Sequence, residues 1–255
     1  MTPPDIDDDL DLPPSIALAW GLREAGSRGP RRALTLQQIA DAGIEVAVAE
    51  GVGALSMARI AKELGVGTMS LYRYVAAKEE LLLIMVDTAL GTPPPPVPGE
   101  DWRAGLTRWA VGVRTAYQRH TWALRVPISG PPLGPNNVAW LDNALAALAG
   151  TPLSEQEKLS SVLLISGFVR NEATLSADFA GAAGGEEVMP GYGRLLGRLT
   201  SAAQFPSLHE AIASGSLDDP DDPDAEFTFG LERILDGVAA LMAAKRTRRS
   251  RRGES

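Results

Sequence analysis

The sequence predicts an all-helical protein. Alanine, leucine and glycine are abundant, and aromatic residues make up only 5% of the chain, a composition that favours helices over sheets. Apolar residues recur at helical spacing in several segments, whereas no run alternates apolar and polar residues as a half-buried strand does. The 255 residues suffice for one large domain or two smaller ones.

Composition and charge limit the classes of function. The chain has no cysteine, which excludes disulfides, thiolate catalysis and cysteine-ligated zinc. Its formal net charge of −8 argues at first against a nucleic-acid partner, but acidic residues are concentrated in Asp5–Asp11 and Asp218–Glu226. The N-terminus does not read as a signal peptide, and no stretch is apolar over the roughly 18 residues of a membrane span. We therefore expect a cytoplasmic protein without a membrane partner.

Proline and glycine divide the chain into segments. The four successive prolines after Thr92 cannot continue a helix and predict a boundary of polyproline character. The predicted segments are a flexible N-terminal arm (1–30) with a short helical piece around Ser15–Glu24, a compact helical domain (31–91), a Pro-rich linker (92–100), a second helical domain (101–245) and a basic, disordered tail (246–255). The helices predicted for the second domain are Asp101–His120, Asn137–Ala149, Ser154–Ala180, Gly191–Ala203 and Ala225–Lys245, with a mobile Gly-rich loop at Gly181–Pro190.

Three helices with the spacing of a helix-turn-helix are predicted in residues 31–91. The first has an apolar face and ends before Gly51, since glycine can take the left-handed conformation that closes a helix. The second spans Met57–Leu64 after Ser56 as N-cap, and the third runs from Thr68 to about Tyr74.

The turn between the second and third helices has the residues that this motif needs. Gly65 tolerates the positive φ of the turn, and Ala61 is small enough for two helices to cross closely. The apolar residues that fill the junction are Ile60, Val66 and Leu71. The residues left on or near the exposed face are Thr68, Met69, Ser70, Tyr72, Arg73 and Tyr74.

This segment is basic although the whole chain is acidic. Between Ser56 and Lys78, four basic residues stand against one acid, which gives a local charge of +3. The basic residues are Arg59, Lys62, Arg73 and Lys78, and the acid is Glu63. A positive local charge is what contact with DNA phosphates requires.

The segment Ser56–Leu82, with the sequence SMARIAKELGVGTMSLYRYVAAKEELL, resembles the DNA-binding domain of the TetR family of repressors. The run Leu71–Val75 followed by Lys78 is its most specific part. The match covers roughly residues 34–90. The rest of the chain resembles, more weakly, the all-helical effector domain of the tetracycline-repressor branch, through its long helices and the Pro-rich connection Pro131–Pro135.

The resemblance implies a set of DNA contacts. Met57 and Arg59 would lie close to DNA, and Thr68, Met69, Ser70 and Tyr72 would occupy the groove. Tyr72, Tyr74 and Lys78 would lie at phosphates. Ala58 stands where some relatives carry a base-reading arginine, so Arg73 is the alternative reader of guanine, and Met69 and Thr68 could contact thymine methyl groups.

The second domain is expected to form a homodimer and to bind a small-molecule effector. Apolar stripes make the helices at 154–180 and 225–245 the candidates for dimerisation. The resemblance implies that they form a four-helix interface, whose two-fold symmetry would match a palindromic operator in double-stranded DNA. The alternative is that both stripes are core. The predicted interface residues are Leu159, Val162, Leu163, Phe168 and Val169 on the first stripe, and Phe227, Leu231, Ile234, Leu235, Val238, Leu241 and Met242 on the second.

Large residues on the helices expected to line a cavity are the candidate effector contacts, and each could instead be a packing residue. They are Trp109, Arg114, Tyr117, Trp122, Trp140 and Arg170. Some tetracycline-sensing relatives use a histidine in a metal-chelate site, but the connection Val126–Val138 contains none. We expect no metal, no cofactor and no catalytic residue.

Two other classes of function compete with a repressor. An enzyme has little support, since only two histidines are present, no Gly-x-Ser-x-Gly motif occurs, and Gly65–Ser70 lacks the third glycine and the preceding strand of a dinucleotide loop. A helical protein-binding module would not require the positive local charge. Activation in place of repression is also compatible with this sequence.

Overall fold

The computed structural model describes residues 12–23, 34–128, 130–182, 191–217 and 224–253. Every regular element in these ranges is a helix, which confirms the predicted all-α class. The helices are α1 (Pro14–Ala19), α2 (Leu36–Glu50), α3 (Met57–Glu63), α4 (Thr68–Leu71), α5 (Lys78–Leu90), α6 (Trp102–Arg119), α7 (Pro135–Ala147), α8 (Glu155–Ala182), α9 (Tyr192–Leu199), α10 (Pro206–Ala213) and α11 (Ala225–Gly253), with short 3₁₀ helices at Val52–Ala54 and Thr121–Arg125.

The chain forms two compact units, of which one ends at Leu163 and the other begins at Leu164, within α8. The predicted N-terminal arm lies outside the described residues except for 12–23, and the predicted loop Gly181–Pro190 lies almost wholly outside them. Among the residues that are described, no helix is long and apolar enough to cross a bilayer.

A capping box starts α2, the first helix of the helix-turn-helix. The Thr35 hydroxyl accepts a hydrogen bond from the Gln38 amide at 3.1 Å, and the Gln38 side chain accepts one from the Thr35 amide at 3.0 Å. The helix ends at Gly51, whose φ is +82°. Its buried face packs on α5 so closely that a Cβ at Gly43 would lie 2.6 Å from the Met85 sulfur.

The helix-turn-helix is present, but its third helix is shorter than predicted. Gly65 takes a φ of +64° in the turn, as expected. Helix α4 ends at Leu71 and not at Tyr74. The Leu71 carbonyl accepts hydrogen bonds from the amides of both Tyr74 and Val75, so the chain tightens into a closing turn there.

The core of the helix-turn-helix extends beyond residue 91. Trp122, Ala123 and Val126, in and after the second 3₁₀ helix, belong to the same buried cluster as Ile60 and Leu71. The sequence did not predict this 3₁₀ helix, because it is too short to show a periodic pattern. Apolar side chains that follow α6 therefore complete the core of the preceding domain.

The proline segment is hydrogen-bonded to α6 and α7 and is therefore not a free linker. The Pro94 carbonyl accepts hydrogen bonds from Arg108 and Asn143, each at 3.2 Å. Arg108 also pairs with Glu100 at 2.9 Å, and this ion pair holds the pKa of the Glu100 carboxyl below its ordinary value. The Trp140 indole donates to the Gly91 carbonyl at 2.8 Å.

The second unit differs from prediction in its last three helices. Helix α9 ends at Leu199, and α10 was not predicted. Helix α11 continues to Gly253, so the expectation of a disordered tail from residue 246 is wrong as far as residue 253. Arginine and lysine are good helix formers and are favourable near a helix C-terminus, which explains the continuation.

Most of the predicted interface stripe on α11 is core. Its buried members are Phe227, Leu231, Leu235, Val238 and Met242. Phe227 stacks on Phe168 of α8 with ring centroids 5.8 Å apart, and Gly230 leaves room for the Phe168 ring. On α8, Val162 and Val169 are buried, whereas Leu159 and Leu163 remain exposed, as does Leu241 on α11.

Candidate DNA interface and effector region

The surface formed by α4 and the turn after it presents most of the predicted DNA contacts. Met69 is 77% exposed and Tyr72 is 45% exposed. Arg73 is also exposed, while Thr68, Ser70 and Lys78 are half-buried. A methionine this exposed contributes nothing to the core, so the exposed face offers an apolar contact to a partner.

Two of the predicted DNA contacts are instead packing residues. Tyr74 is only 5% exposed, and its hydroxyl donates a hydrogen bond to the Leu34 carbonyl. This bond ties the turn after α4 to the residue that precedes the α2 cap. Met57 is buried in the core of the helix-turn-helix. Burying their apolar surface in the core stabilises the fold more than leaving it beside a phosphate would, which explains why the two side chains face inward.

Arg59 is held by two carboxylates. Its guanidinium donates to Glu50 at 2.7 and 3.1 Å and to Glu63 at 2.7 Å, while its own amide bonds to the Ser56 cap. These hydrogen bonds lower the pKa of Glu50 and raise that of Arg59. The network joins the end of α2 to α3 and orients the helix-turn-helix.

The same network reduces the positive charge expected at this surface. The sequence count between Ser56 and Lys78 did not include Glu50, which precedes the segment and pairs with Arg59. Within the residues that the structure describes, Lys62, Arg73 and Lys78 have no carboxylate within salt-bridge distance. These three cations carry the positive charge of the surface.

In the predicted effector region, Trp109 and Trp140 pack together on α6 and α7. Their rings meet edge to face with centroids 6.2 Å apart. The Trp109 N–H donates to the Trp140 carbonyl at 2.8 Å, and the Trp140 N–H is bonded to Gly91. Both side chains are buried and both N–H groups are bonded within the protein, so the two residues pack α6 against α7.

Trp122 differs from these two tryptophans. Its ring is buried edge to face with His120, at a centroid distance of 6.3 Å. Among the described residues, the Trp122 N–H and His120 Nδ1 are buried without a hydrogen-bond partner. Burial lowers the pKa of His120, with a smaller contribution from Arg119. A buried donor without a partner is unfavourable and is what an acceptor on a ligand would satisfy.

The remaining predicted effector contacts lie in different parts of the fold. Arg114 is buried on α6, and Tyr117 is half-buried against the core of the helix-turn-helix. Arg170 is half-buried on α8, in the second unit.

Asp87, which was not predicted as a functional residue from the sequence, is a buried carboxylate that joins α5 to α7. One carboxylate oxygen accepts from the amide and side chain of Asn137 at 2.8 and 2.7 Å. The other accepts from the amide and side chain of Asn136 at 3.3 and 3.2 Å. Gly134 makes room for the carboxylate, since a Cβ there would lie 2.2 Å from it. An acidic residue in the last turn of its own helix opposes the helix dipole, and that was the signal in the sequence.

Two family models match the chain. The model of the tetR family of bacterial regulatory proteins matches residues 28–85. The model of the tetracyclin repressor-like C-terminal domain matches residues 95–242. The second match alone spans more than half of the chain.

Known repressors and solved structures are similar to this protein over most of its chain. The HTH-type transcriptional repressor DrrR1 of Streptomyces coeruleorubidus is 38% identical over 96% of this chain and 90% of that protein. The repressor Rv1353c of Mycobacterium tuberculosis is 26% identical over 87% of this chain and 85% of that protein. The crystal structure of the Streptomyces coelicolor TetR family protein ActR with actinorhodin has a TM-score of 0.68 at 29% identity, covering 83% of this chain and 98% of that chain. Its complex with (S)-DNPA has the same score and identity.

The two neighbouring tyrosines should differ in their effect on stability. We expect Tyr74→Phe to lower the free energy of unfolding by about 0.5–1.5 kcal/mol, because the Leu34 carbonyl loses its hydrogen bond. Tyr72→Phe serves as the matched control and should change it by less than about 0.5 kcal/mol, since Tyr72 is exposed. Urea unfolding measures both, and equal losses would contradict the packing role of Tyr74.

Proposed function

Because the chain belongs to the TetR family of bacterial regulatory proteins, we propose that it is a repressor that binds a palindromic operator through α4 and dissociates when a small molecule binds. The observation that carries this proposal is the exposed face of Met69, Tyr72 and Arg73 on a helix-turn-helix whose core is closed by Ile60, Leu71 and Val75. The family consists of transcriptional regulators, so the chain is not an enzyme, as predicted from the sequence. We place it in the cytoplasm, where a bacterial operator is accessible.

The predicted contacts on the surface around α4 have different chemical roles in this proposal. Met69 and Thr68 meet thymine methyl groups in the major groove, and Arg73 donates two hydrogen bonds to guanine. Tyr72 and Lys78 bind phosphates and fix the register of α4 on the duplex. Tyr74, Met57 and Arg59 do not contact DNA in this proposal. They stabilise the helix-turn-helix through the contacts described above.

Dimerisation is proposed through α8 and α11. On α8, Leu163 is 74% exposed, and Leu164 and Phe179 are also exposed. On α11, Phe229 and Leu241 are exposed. Large apolar side chains repeated along a helix are unfavourable in water, and a second copy of the chain would bury them. Two copies related by a two-fold axis would present two α4 helices to a palindrome.

The proposed effector is a small aromatic molecule with a hydrogen-bond acceptor. Trp122 supplies the buried N–H without a partner, and the buried rings of Trp109 and Trp140 remain proposed contacts. Arg114 and Tyr117 on α6, and Arg170 on α8, remain proposed contacts. The relative ActR was crystallised with the small molecules actinorhodin and (S)-DNPA, which supports an effector role for this domain.

The DNA interface is tested on the DNA upstream of the protein's own gene. We expect the protein to protect a palindrome there from DNase, with an affinity that falls steeply as salt rises. Arg73→Ala should weaken operator binding by about 1–3 kcal/mol and relax the base preference at one position of the operator. Lys78→Ala should reduce the slope of log affinity against log salt concentration by about one. Lys158→Ala removes the same charge from α8 and should leave binding unchanged. Wild-type affinity in both Arg73→Ala and Lys78→Ala would overturn the assignment of α4.

The dimer is tested by analytical ultracentrifugation. The wild-type protein should sediment as a dimer, and Leu163→Glu should shift it towards the monomer because a carboxylate would be buried at the interface. Ile128→Glu is the control, since Ile128 is 75% exposed in a loop before α7. A monomeric wild type, or a fully dimeric Leu163→Glu variant, would contradict the proposed interface.

The effector is tested by thermal shift with aromatic small molecules, using actinorhodin as the first probe. A ligand at 100 times its Kd should stabilise the protein by about 2.7 kcal/mol and release the operator fragment. Trp122→Phe should weaken binding of ligands that carry an acceptor, since it removes the N–H and keeps most of the ring. A ligand that stabilises the protein but leaves it on the operator would disprove the proposed release.

A further inference from the structure

Helix α1 lies outside both family matches, yet it is an integral part of the first unit. The matches begin at residue 28, and α1 spans Pro14–Ala19. Ser15 and Ile16 are buried, and Ile16 packs with Ala40 of α2 and Ile84 of α5. The helix is therefore docked on the DNA-binding domain and is not part of a free arm.

The first turn of α1 contacts the start of α5. The Ser15 hydroxyl donates to a Glu80 carboxylate oxygen at 2.9 Å. The same oxygen accepts a hydrogen bond from the Ala76 amide at 3.1 Å, and this bond fixes the residues that precede α5. Lys78, a proposed phosphate contact, lies two residues before Glu80. Ser15 thus helps to hold the Glu80 carboxylate in the position from which it binds the segment before α5.

The C-terminal end of α1 contacts a different part of the fold. The Trp20 indole N–H donates to the Leu133 carbonyl at 2.7 Å. Trp20 is held in place because the chain turns back after α1, where Gly21 has a φ of +67° and the Leu22 amide bonds to the Ala17 carbonyl. Leu133 is within the match to the C-terminal domain, whereas the contacts of Ser15 and Ile16 are within the match to the DNA-binding domain.

Leu133 lies next to the contact between Asp87 of α5 and the start of α7. The next residue is Gly134, which makes room for Asp87, and the carboxylate of Asp87 receives the first amides of α7. A hydrogen bond to Leu133 therefore restrains the segment that leads into this contact. Helix α1 spans from the start of α5 to the start of α7.

We propose that α1 is a clamp that fixes the orientation of the DNA-binding domain relative to α7, with Ser15 and Trp20 as its two polar attachment points. This inference rests on the proposed function only in that operator binding is one of its readouts. Loss of either attachment lets the two domains sample more orientations. The fraction of protein in the operator-binding arrangement then falls, and the apparent affinity falls with it.

Operator affinity and its additivity provide the first test. Trp20→Phe removes the N–H and keeps an aromatic ring, and Ser15→Ala removes the hydroxyl. Each variant should weaken binding to the upstream DNA fragment about 2- to 10-fold, the range expected for one lost hydrogen bond. A clamp works only when both attachment points are intact, so losing the second one has no further effect. The double variant should therefore bind the operator with about the same affinity as the single variant that binds it less tightly. Additive losses would overturn the proposal.

Hydrogen exchange provides a second test that does not depend on DNA. Trp20→Phe should accelerate exchange at both ends of the clamp, in residues 130–137 and in residues 76–80, and Ser15→Ala should do the same. Trp102→Phe, a tryptophan substitution on α6, is the control and should leave both regions unchanged. Acceleration confined to α1 would reject the clamp. If exchange follows the expectation but no operator is bound, the proposed function fails and the clamp stands.

Discussion

The buried carboxylate of Asp87 sets the geometry of the first unit. A carboxylate removed from water is costly unless hydrogen bonds replace its hydration, and four donors from Asn136 and Asn137 do so. Near the end of α5 this charge opposes the helix dipole, but at the start of α7 it complements the dipole of the second helix. Helices α5 and α7 are consequently joined at one point, and Gly134 is needed for the approach. Hydrogen bonds from α6 and α7 to the Gly91 and Pro94 carbonyls then fix the proline segment that follows α5.

The helix-turn-helix was predictable because its determinants are local. A cap at Ser56, a glycine able to take positive φ at residue 65 and apolar residues at helical spacing lie within a few turns of one another. The sequence could not indicate which of two tyrosines in a Tyr-Arg-Tyr run faces inward, because that depends on the Leu34 carbonyl 40 residues earlier. The partner of Asp87 is 50 residues away and that of Trp20 is 113 residues away, so neither contact leaves a periodic trace. The predicted stripes on α8 and α11 combined core and surface positions, since one apolar pattern serves both.

The acidic net charge is compatible with the small number of cations at the α4 surface. Arg59 is occupied by Glu50 and Glu63, which leaves Lys62, Arg73 and Lys78 as the cations that give this surface its positive charge. A surface with few cations and an exposed methionine gains less of its affinity from charge, and more from shape and methyl contacts, than a strongly basic surface does. Weak attraction to arbitrary DNA favours selectivity, because competing non-specific sites outnumber the operator.

The shared core has a consequence for modularity. The proline segment lies where a domain boundary is expected, but Trp122, Ala123 and Val126 beyond it fill the core of the helix-turn-helix. A fragment cut at that segment would expose the apolar side chains these residues cover. Chimeras that exchange sensory domains at the prolines would therefore carry mismatched core residues across the cut. Recombination can preserve folding only where the 3₁₀ segment Thr121–Arg125 travels with the DNA-binding half to which it is fitted.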